Sequence, residues 1–414
     1  MTKEEKSWIL YDVANSAFIL IMVTAVMPIF FKEIAAQGLT GAQSTSLWGY
    51  AISSAALITA LAAPFLGALA DYKGNKLRFF TAFLLTGVAA TVALTAVDTG
   101  EWLLCFFIFL AAKISWSGTN IFYDSFITDV TTPERTDRIS SSGYAWGYIG
   151  STVPFIAVII ILMSAEGGKP LPYHYRIGFI ITAVWWLLLS IPMLKNVRQK
   201  HYIPESESPL KESIGRLISG IKNAGEYKNA YLFLLGYFFY IDGVDTIISM
   251  AGAYGIDSGL STVTLISAIL AIQILAFPFA ILYGKLAERF SAKKMIMAGI
   301  GIYTVITFIA FFLPGIQSQE GKTAVFWFLS FLVATSMGGI QALSRSFYSR
   351  LIPAERSAEF FGLYNIFGKF AAILGPFMMG LATQLTGNSR YGILCVMFLF
   401  FAGGTILYRV KAES

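Results

Sequence analysis

Long apolar runs recur about twelve times along this chain of 414 residues, and each is long enough to cross a lipid bilayer. The chain is 56% apolar and only 13% charged. Only helices and closed barrels satisfy their backbone hydrogen bonds inside lipid, and apolar runs without alternation are typical of helices. The sequence therefore predicts an all-α polytopic membrane protein with twelve transmembrane helices, and it excludes an ordinary soluble globule.

The basic residues predict the topology. About 22 of the 30 Lys and Arg lie on one side of the predicted spans and about five on the other. The positive-inside rule then puts both termini in the cytoplasm of a multi-pass protein of the cell (inner) membrane. Because the bases sit on alternate loops, the net charge of +6 does not indicate nucleic-acid binding. The start MTKEEK lacks a cleavable signal peptide, and the solitary Cys105 and Cys395 support neither a disulfide framework nor a metal site. No cofactor is predicted.

An internal repeat divides the chain. The segment KISWSGTNIFYDSFITDVTTPER, residues 113–135, returns in the second half with matching glycine, serine and phenylalanine positions. Two aligned charges are swapped: Asp124 falls on Arg345 and Asp129 on Arg350. We therefore predict two pseudo-symmetric six-helix bundles, residues 1–195 and 229–414. The linker, residues 196–228, is predicted to carry an amphipathic helix on the inner leaflet, with partner binding as the alternative.

Helix 4 carries a polar stripe inside this repeat. Lys113, Ser117, Asn120 and Asp124 recur at helical spacing and so share one face. A charge within a span costs roughly 2.5–3.5 kcal/mol on insertion scales. Such residues face a bundle interior or an aqueous cavity, so the stripe predicts a polar lining.

Acidic residues on helices 1 and 7 are the next candidates. Asp12 and Asn15 share a face of helix 1; they form either a polar helix start reaching the headgroups or a cavity-facing proton or cation site. Asp242 and Asp245 lie one turn apart near the middle of helix 7. Burial and mutual repulsion favour protonation of one of them, which suits a proton carrier. The alternative is a structural ion pair with Lys369.

These patterns define the predicted site. Its residues lie on helices 1, 4, 7, 8 and 10 and are assigned to substrate binding or proton coupling. They are Asp12, Asn15, Asn120, Asp124, Tyr240, Asp242, Asp245, Gln273 and Gln341. Lys113 and Lys369 are predicted as buried bases within spans.

The loop after helix 2 carries a second kind of signal. It reads GALADYKGNK from Gly67 to Lys76, and a weaker copy, GKLAERFSAKK, follows helix 8. The pair resembles the signature loop of the major facilitator superfamily, where it acts as a gating hinge. The resemblance implies gating roles for Gly67, Asp71, Gly74, Lys76, Gly284, Glu288 and Arg289. In the second copy Glu288 replaces Asp and Ser291 replaces Gly.

Four further stretches carry a narrower resemblance. They read YDVANSAF, FYDSF with SGYAWGYIG, YFFYIDGVDTI, and QALSRSFYSRLIPAERSAEFFGLYNIFGK. Together they resemble the vacuole-effluxer-like family, a branch of the major facilitators named for fungal autophagy-related proteins. The resemblance implies amino-acid efflux by alternating access, with helices 1, 4, 7 and 10 lining the cavity. Ile241 and Asp245 depart from the neutral polar residues expected there, and helix 5 lacks the Gly-Pro-x-x-Gly-Gly run of drug/proton antiporters.

Two mechanistic hypotheses follow. Asp124 and Arg345, at matching depth on opposed helices, are predicted to pair when the cytoplasmic side is closed. Asp242 or Asp245, with Asp12 as the second choice, is predicted to link a proton gradient to export. The predicted partners are a small-molecule substrate, protons and membrane lipids, and the chain is expected to be a monomer.

Other functions are less well supported. An exporter of amphipathic compounds (drugs, lipids or lysolipids) is the main alternative and needs a wide aromatic cleft, whereas amino acids need a small polar pocket. A membrane enzyme is disfavoured because His174 and His201 lie singly in loops and no catalytic motif is present. A receptor would need an added soluble domain.

Overall fold

A computed structural model describes residues 1–39, 41–165, 170–204, 208–209, 211–215, 225, 227–257, 260–386 and 389–411. These residues are almost entirely helical. The long helices are α1 Lys3–Ala35, α2 Gly41–Ala70, α3 Asn75–Ala93, α4 Trp102–Ser125, α5 Thr136–Met163, α6 Pro172–Asn196, α7 Lys228–Asp257, α8 Thr262–Phe290, α9 Ala292–Phe312, α10 Gln319–Ser349, α11 Ser357–Thr386 and α12 Ser389–Arg409.

The predicted fold class is confirmed. Within the described part of the chain, 11 helices are long and apolar enough to cross a membrane. Predicted helix 11 is also present, as the 30-residue helix α11. Large hydrophobic side chains remain exposed along these helices, including Leu61, Ile160 and Phe398, each at least 61% exposed. Such side chains are suited to contact with lipid rather than water.

The loops before α3 and α9 each contain a residue with a positive φ. Gly74 precedes α3 with φ 74°, and Ser291 precedes α9 with φ 88°. Glycine adopts a positive φ without strain, whereas an L side chain there costs about 1–3 kcal/mol. The ψ angles differ, at −5° for Gly74 and 146° for Ser291, so the second loop takes a different turn and holds a serine at a strained φ.

Ser291→Gly is expected to stabilise the protein by about 1 kcal/mol, because relief of strain outweighs the loss of a serine cap. The measurement is the midpoint of thermal unfolding in detergent. Ser261→Gly is the matched control, since Ser261 caps α8 at an ordinary φ of −73° and accepts a hydrogen bond from the Thr264 N–H. A lowered midpoint for both variants would contradict the strain argument.

Helix α1 is not uniformly α-helical. Residues Lys3–Phe18 and Val26–Phe30 are α-helical, whereas Ile19–Ala25 and Phe31–Ala35 form π-helical turns. The Thr24 hydroxyl donates to the carbonyl of Ile19, five residues earlier. π-Helical turns are rare and occur frequently at functional sites.

The chain divides into two compact units. Unit 1 comprises Met1–Thr131, Trp146–Leu217 and Ala354–Gly362; unit 2 comprises Thr132–Ala145, Ile218–Pro353 and Leu363–Ser414. Each unit therefore holds most of one half of the chain together with the start of a helix, α5 or α11, that continues in the other unit. The bundle boundaries at residues 195 and 229 stay a prediction.

The same helix pairings recur in the two units. In unit 1, α1 packs on α6, α4 packs on α2 and α3, and α3 packs on α6. In unit 2, α7 packs on α12, α10 packs on α8 and α9, and α9 packs on α12. Six positions along the chain separate each pair of equivalent helices, so the two halves share one architecture.

Buried aromatic rings hold each unit together. In unit 1, Trp8 stacks on Tyr123 with ring centroids 4.5 Å apart and donates its indole N–H to the Tyr123 carbonyl. In unit 2, Tyr237 stacks on Tyr364 at 4.3 Å, and Tyr303 stacks on Phe400. Such pairs stabilise by about 0.5–1.5 kcal/mol beyond area burial.

The chain after α6 returns to the loop between α2 and α3. The Ile203 N–H donates to the carbonyl of Asp71, and the Tyr72 hydroxyl donates to Glu212. Residues 211–215 are helical, within the predicted amphipathic helix. Residues 210 and 216–224 of that prediction lie outside the described residues.

Candidate functional site

The predicted polar residues of α1 and α4 form one connected group in unit 1. The Trp116 indole N–H donates to the Asn15 carbonyl at 3.1 Å, and the Asn120 amide donates to the Trp116 carbonyl. The Asn15 amide lies 3.4 Å from a carboxylate oxygen of Asp12. The Lys113 ammonium lies over the Trp116 ring, 4.1 Å from its centroid. The structure therefore brings Asp12, Asn15, Asn120 and Lys113 together around Trp116.

The polar stripe of α4 is partly buried. It lies on a different side of the helix from the exposed apolar side chains. Lys113, Asn120 and Asp124 are half-buried, Ser117 is buried, and half-buried Trp116 borders the stripe. Leu104 and Phe107, which are 45% and 57% exposed, lie roughly opposite at 100° per residue. An apolar exposed face is suited to lipid, so the polar face is the one suited to water.

Helix α7 presents two of its candidates to neighbouring helices of unit 2. The Tyr240 hydroxyl lies 2.6 Å from the Ser344 hydroxyl on α10. Asp242 is fully buried, and its Oδ1 accepts the Gly375 N–H of α11 at 2.8 Å. Its Oδ2 is buried and has no hydrogen-bond partner within the described part of the chain. Asp245 is half-buried.

Gly375 allows that close approach of α11 to α7. A Cβ atom at residue 375 would lie 1.9 Å from the Thr246 hydroxyl and 2.7 Å from Asp242 Oδ1. The side chain of Lys369, the predicted alternative partner of these acids, lies outside the described side chains.

The α10 candidates differ in burial. Arg345 is 2% exposed; its Nε donates to the Ser140 hydroxyl at 2.9 Å and its Nη2 to the Ser140 carbonyl. Its guanidinium lies 4.6 Å from the centre of the Tyr144 ring. Gln341 is half-buried, as is Gln273, which lines an apolar cavity described below. The pairing of Arg345 with Asp124 stays a prediction.

Asp71, directly after α2, contacts the start of α11 within unit 1. The two carboxylate oxygens of Asp71 accept the backbone N–H groups of Ala358 and Glu359, each at 2.9 Å. A helix N-terminus favours an anion, because its first N–H groups are unpaired and its dipole is positive there. Burial raises the pKa of Asp71 to about 7, although the Lys76 ammonium and these N–H groups lower it. The carboxyl group therefore titrates near neutral pH.

Gly67 lies where the two helices touch. A Cβ atom at this position would lie 2.2 Å from the Ala358 carbonyl oxygen. Gly362 makes the reciprocal approach, with a Cβ atom 2.6 Å from the Ala63 carbonyl. These distances require glycine, so the crossing depends on small residues from both helices.

Asp129 is a functional candidate that sequence reasoning missed. It lies directly after α4 and pairs with Lys76 at 2.8 Å, and neither side chain is exposed. Its Oδ1 accepts the N–H groups of Lys200 and His201, and Lys76 also donates to Ser357 at the start of α11. The carboxylate of Asp129 raises the pKa of His201 by accepting its ring N–H. The swap of Asp129 with Arg350 in the repeat was the available signal.

Unit 2 holds the start of α5 in a related way. A Cβ atom at Gly284 would lie 2.7 Å from Ser141 Cβ. Arg350 Nη1 pairs with Asp137 at 2.9 Å, and the Ser346 hydroxyl donates to the same carboxylate oxygen. The acid that fixes the incoming helix thus belongs to α5 itself, whereas in unit 1 it belongs to the α2–α3 loop.

The second signature loop lacks the acid contact of the first. Glu288 and Arg289 are exposed, and the Arg289 guanidinium lies beside the Phe290 ring. Within the described ranges no hydrogen bond or ion pair to Glu288 is present. The resemblance between Glu288 and Asp71 therefore ends at the sequence. Lys293, which aligns with Lys76, donates to the Tyr408 and Val410 carbonyls.

The described residues contain no group of three His, Cys, Asp or Glu placed to hold a metal ion. They do contain one apolar cavity of about 140 Å³ in unit 2, lined by α7 to α12, including Tyr254, Ile272, Leu329 and Met337. Ser330 and Gln273 are among its few polar lining residues.

Solved structures of major facilitator transporters share this fold. The proton:xylose symporter XylE, bound to 6-bromo-6-deoxy-D-glucose, aligns over 98% of this chain and 95% of its own, with a TM-score of 0.74 and 13% identity. FucP in the outward conformation aligns over 99% and 98%, also with a TM-score of 0.74. The chain thus has the major facilitator fold.

The chain belongs to the family described as Vacuole effluxer Atg22 like, which it matches over residues 1–414. The MFS-type transporter YxiO of Bacillus subtilis (strain 168) is 44% identical over 418 residues, covering 100% of this chain and 96% of that protein. Autophagy-related protein 22 of Cryptococcus neoformans is 29% identical over 299 residues, which cover 67% of this chain and 51% of the fungal protein. The predicted family is confirmed, and it is a family of transporters rather than enzymes.

Proposed function

We propose that the chain is a secondary active transporter that exports amino acids or similar small polar metabolites by alternating access. The family description, vacuole effluxer, supports export. The polar groups of the spans support a polar cargo. In this mechanism two bundles rock about a site near the middle of the membrane.

The observation that carries this proposal is the placement of polar side chains on the predicted cavity helices. α1 and α4 carry the group around Trp116, and α7 and α10 carry Tyr240, Asp242 and Arg345. Charges inside a membrane mark substrate or ion pathways, since lipid-facing charges are costly.

We propose the α2–α11 crossing and the α8–α5 crossing as the cytoplasmic gate. Gly67 and Gly284 permit the helices to touch, and Asp71 and Asp137 supply polar contacts. Opening towards the cytoplasm would break these contacts, and the predicted Asp124–Arg345 pair would part in the same step. Gly74 and Lys76 support the gate indirectly, through the turn and through Asp129.

Asp242 is the proposed proton carrier. Its buried Oδ2 lacks a partner within the described residues, which favours the protonated form of the carboxyl group in this state. Release of the proton would require water to reach the residue in the other state. Asp245 and Asp12 remain the second candidates.

The test is transport in proteoliposomes with radiolabelled amino acids, with and without an imposed pH gradient. Asp242→Asn is expected to abolish stimulation by the gradient and to leave exchange of labelled for unlabelled substrate intact, because the amide cannot carry a proton. Glu320→Gln is the matched control, since Glu320 is exposed in the first turn of α10. If transport responds neither to the gradient nor to Asp242→Asn, the protein is a passive facilitator.

The cavity of unit 2 favours a second candidate, export of amphipathic compounds. Its walls are mainly Ile, Leu, Met and Ala side chains, which suit a hydrocarbon group. The same liposomes, loaded with a lysolipid or a fluorescent lipophilic cation, distinguish the two cargoes.

We also propose an inner-membrane location with both termini in the cytoplasm, on the basis of the loop charges. The proposed protein works as a monomer in contact with membrane lipids. A reporter that is active on one side of the membrane only, fused to the C-terminus, tests the orientation.

A further inference from the structure

Lys113 is a basic residue in the middle of α4. Its ammonium lies over the Trp116 ring, and no carboxylate of a described residue lies within ion-pair distance of it. The residue is half-buried, twelve positions into a helix of 24 residues. A lysine there is held at a cost of a few kcal/mol unless an anion offsets it.

Three other basic residues of the described helices and helix ends are paired or bonded differently. Lys76 pairs with the buried carboxylate of Asp129. Arg350 pairs with Asp137, and Arg345 donates to both oxygens of Ser140. Among the described residues, Trp116, a near neighbour in the sequence, contacts the Lys113 ammonium, and its aromatic face attracts a cation but does not cancel the charge. The group that would offset the charge of the Lys113 ammonium is therefore an anion.

The Trp116 ring beneath Lys113 is held in place by two residues of α1. The Trp116 indole N–H is fixed by the Asn15 carbonyl, and its ring stacks on Phe18 at 5.9 Å with an interplanar angle of 11°. Lys113 and Asn120 belong to the polar stripe of α4, on the face away from exposed Leu104 and Phe107. An anion arriving through water would meet this face of the helix.

We propose that Lys113 binds the carboxylate of the transported compound, with Trp116 holding the ammonium in position. This inference rests on the proposed transport of small polar metabolites and names the substrate group that α4 recognises. A single ammonium matches one monovalent anion. A lipid phosphate is disfavoured as the partner, because headgroups lie at the membrane surface whereas Lys113 lies near the middle of its span.

The test is ligand binding by the purified full-length protein in detergent, followed by thermal shift and by titration. The probes are the 20 standard amino acids, the amide of each amino acid that binds, and acetate, lactate and succinate. Sodium chloride and glycerol phosphate test a simple anion and a headgroup phosphate. An amino acid is expected to bind about 10- to 100-fold more tightly than its amide, the range for hydrogen bonds to charged groups.

Lys113→Gln is expected to remove this preference for the acid over the amide, and Lys113→Arg to keep most of it because the cation remains. Lys195→Gln is the matched control, since Lys195 is exposed at the end of α6. If Lys113→Gln does not fold, the comparison of acid and amide on the unaltered protein still decides the question.

The outcomes separate this inference from the proposed function. Binding of acetate, lactate or succinate that depends on Lys113, without binding of any amino acid, would support the carboxylate site and reject the amino-acid cargo. An amino acid that binds as well as its amide, or equally well to Lys113→Gln, would overturn the site and leave the cargo intact. Lys113-dependent binding of chloride or glycerol phosphate alone, or no binding of any carboxylate, would also overturn it.

Discussion

Asp129→Ala is expected to destabilise the protein by about 3–5 kcal/mol, one of the two largest effects anticipated here. The substitution leaves the Lys76 ammonium buried without its counter-ion, and it removes the acceptor of two backbone N–H groups after α6. The measurement is the thermal unfolding midpoint in detergent, together with the fraction that elutes as a single species in size exclusion.

Asp98→Ala is the control for this prediction. Asp98 also forms an ion pair, with Arg176, but its side chain is 74% exposed. Exposed ion pairs contribute little because water already solvates both charges. If the two variants shift the thermal unfolding midpoint equally, burial of the Asp129–Lys76 pair adds nothing to its contribution to stability.

Gly67→Ala is expected to impair closure of the α2–α11 crossing and to reduce transport strongly. The added methyl would lie 2.2 Å from the Ala358 carbonyl oxygen and 2.7 Å from its carbon, so backbone must move. Overpacking of this kind costs about 1–3 kcal/mol, enough to shift an equilibrium between closed and open states by roughly 5- to 150-fold. The readouts are transport and the labelling rate of a cysteine introduced on the cytoplasmic side.

Gly49→Ala on the same helix is the matched control, because a Cβ atom there meets nothing within 4 Å. It makes the same chemical change and the same change in helix propensity. If both variants transport and label alike, the crossing at Gly67 is not part of the gate.

Helix number, order and type were predictable because apolar length alone specifies a membrane helix. Internal duplication was also readable, since the charge swaps and the signature loops keep their spacing. The structure supports this duplication through the repeated helix pairings.

Long-range polar partners were not predictable from local pattern. Asp71 meets N–H groups 287 and 288 positions away, and only the fold brings α11 to it. Glu288 aligns with Asp71 in the repeat but is exposed. Matching positions in the two halves therefore do not make the same contact. Asp129 appeared only as one member of a swapped pair, because nothing in the sequence signals that Lys76 would reach it.

The π-helical turns of α1 have a mechanical consequence. Exchange of a π turn for an α turn alters how far the following residues are rotated about the axis, while each amide keeps a carbonyl partner. Two such turns lie beyond Asp12 and Asn15, at Ile19–Ala25 and Phe31–Ala35. Such an exchange at either turn would rotate the C-terminal part of α1 relative to the N-terminal part that carries Asp12 and Asn15.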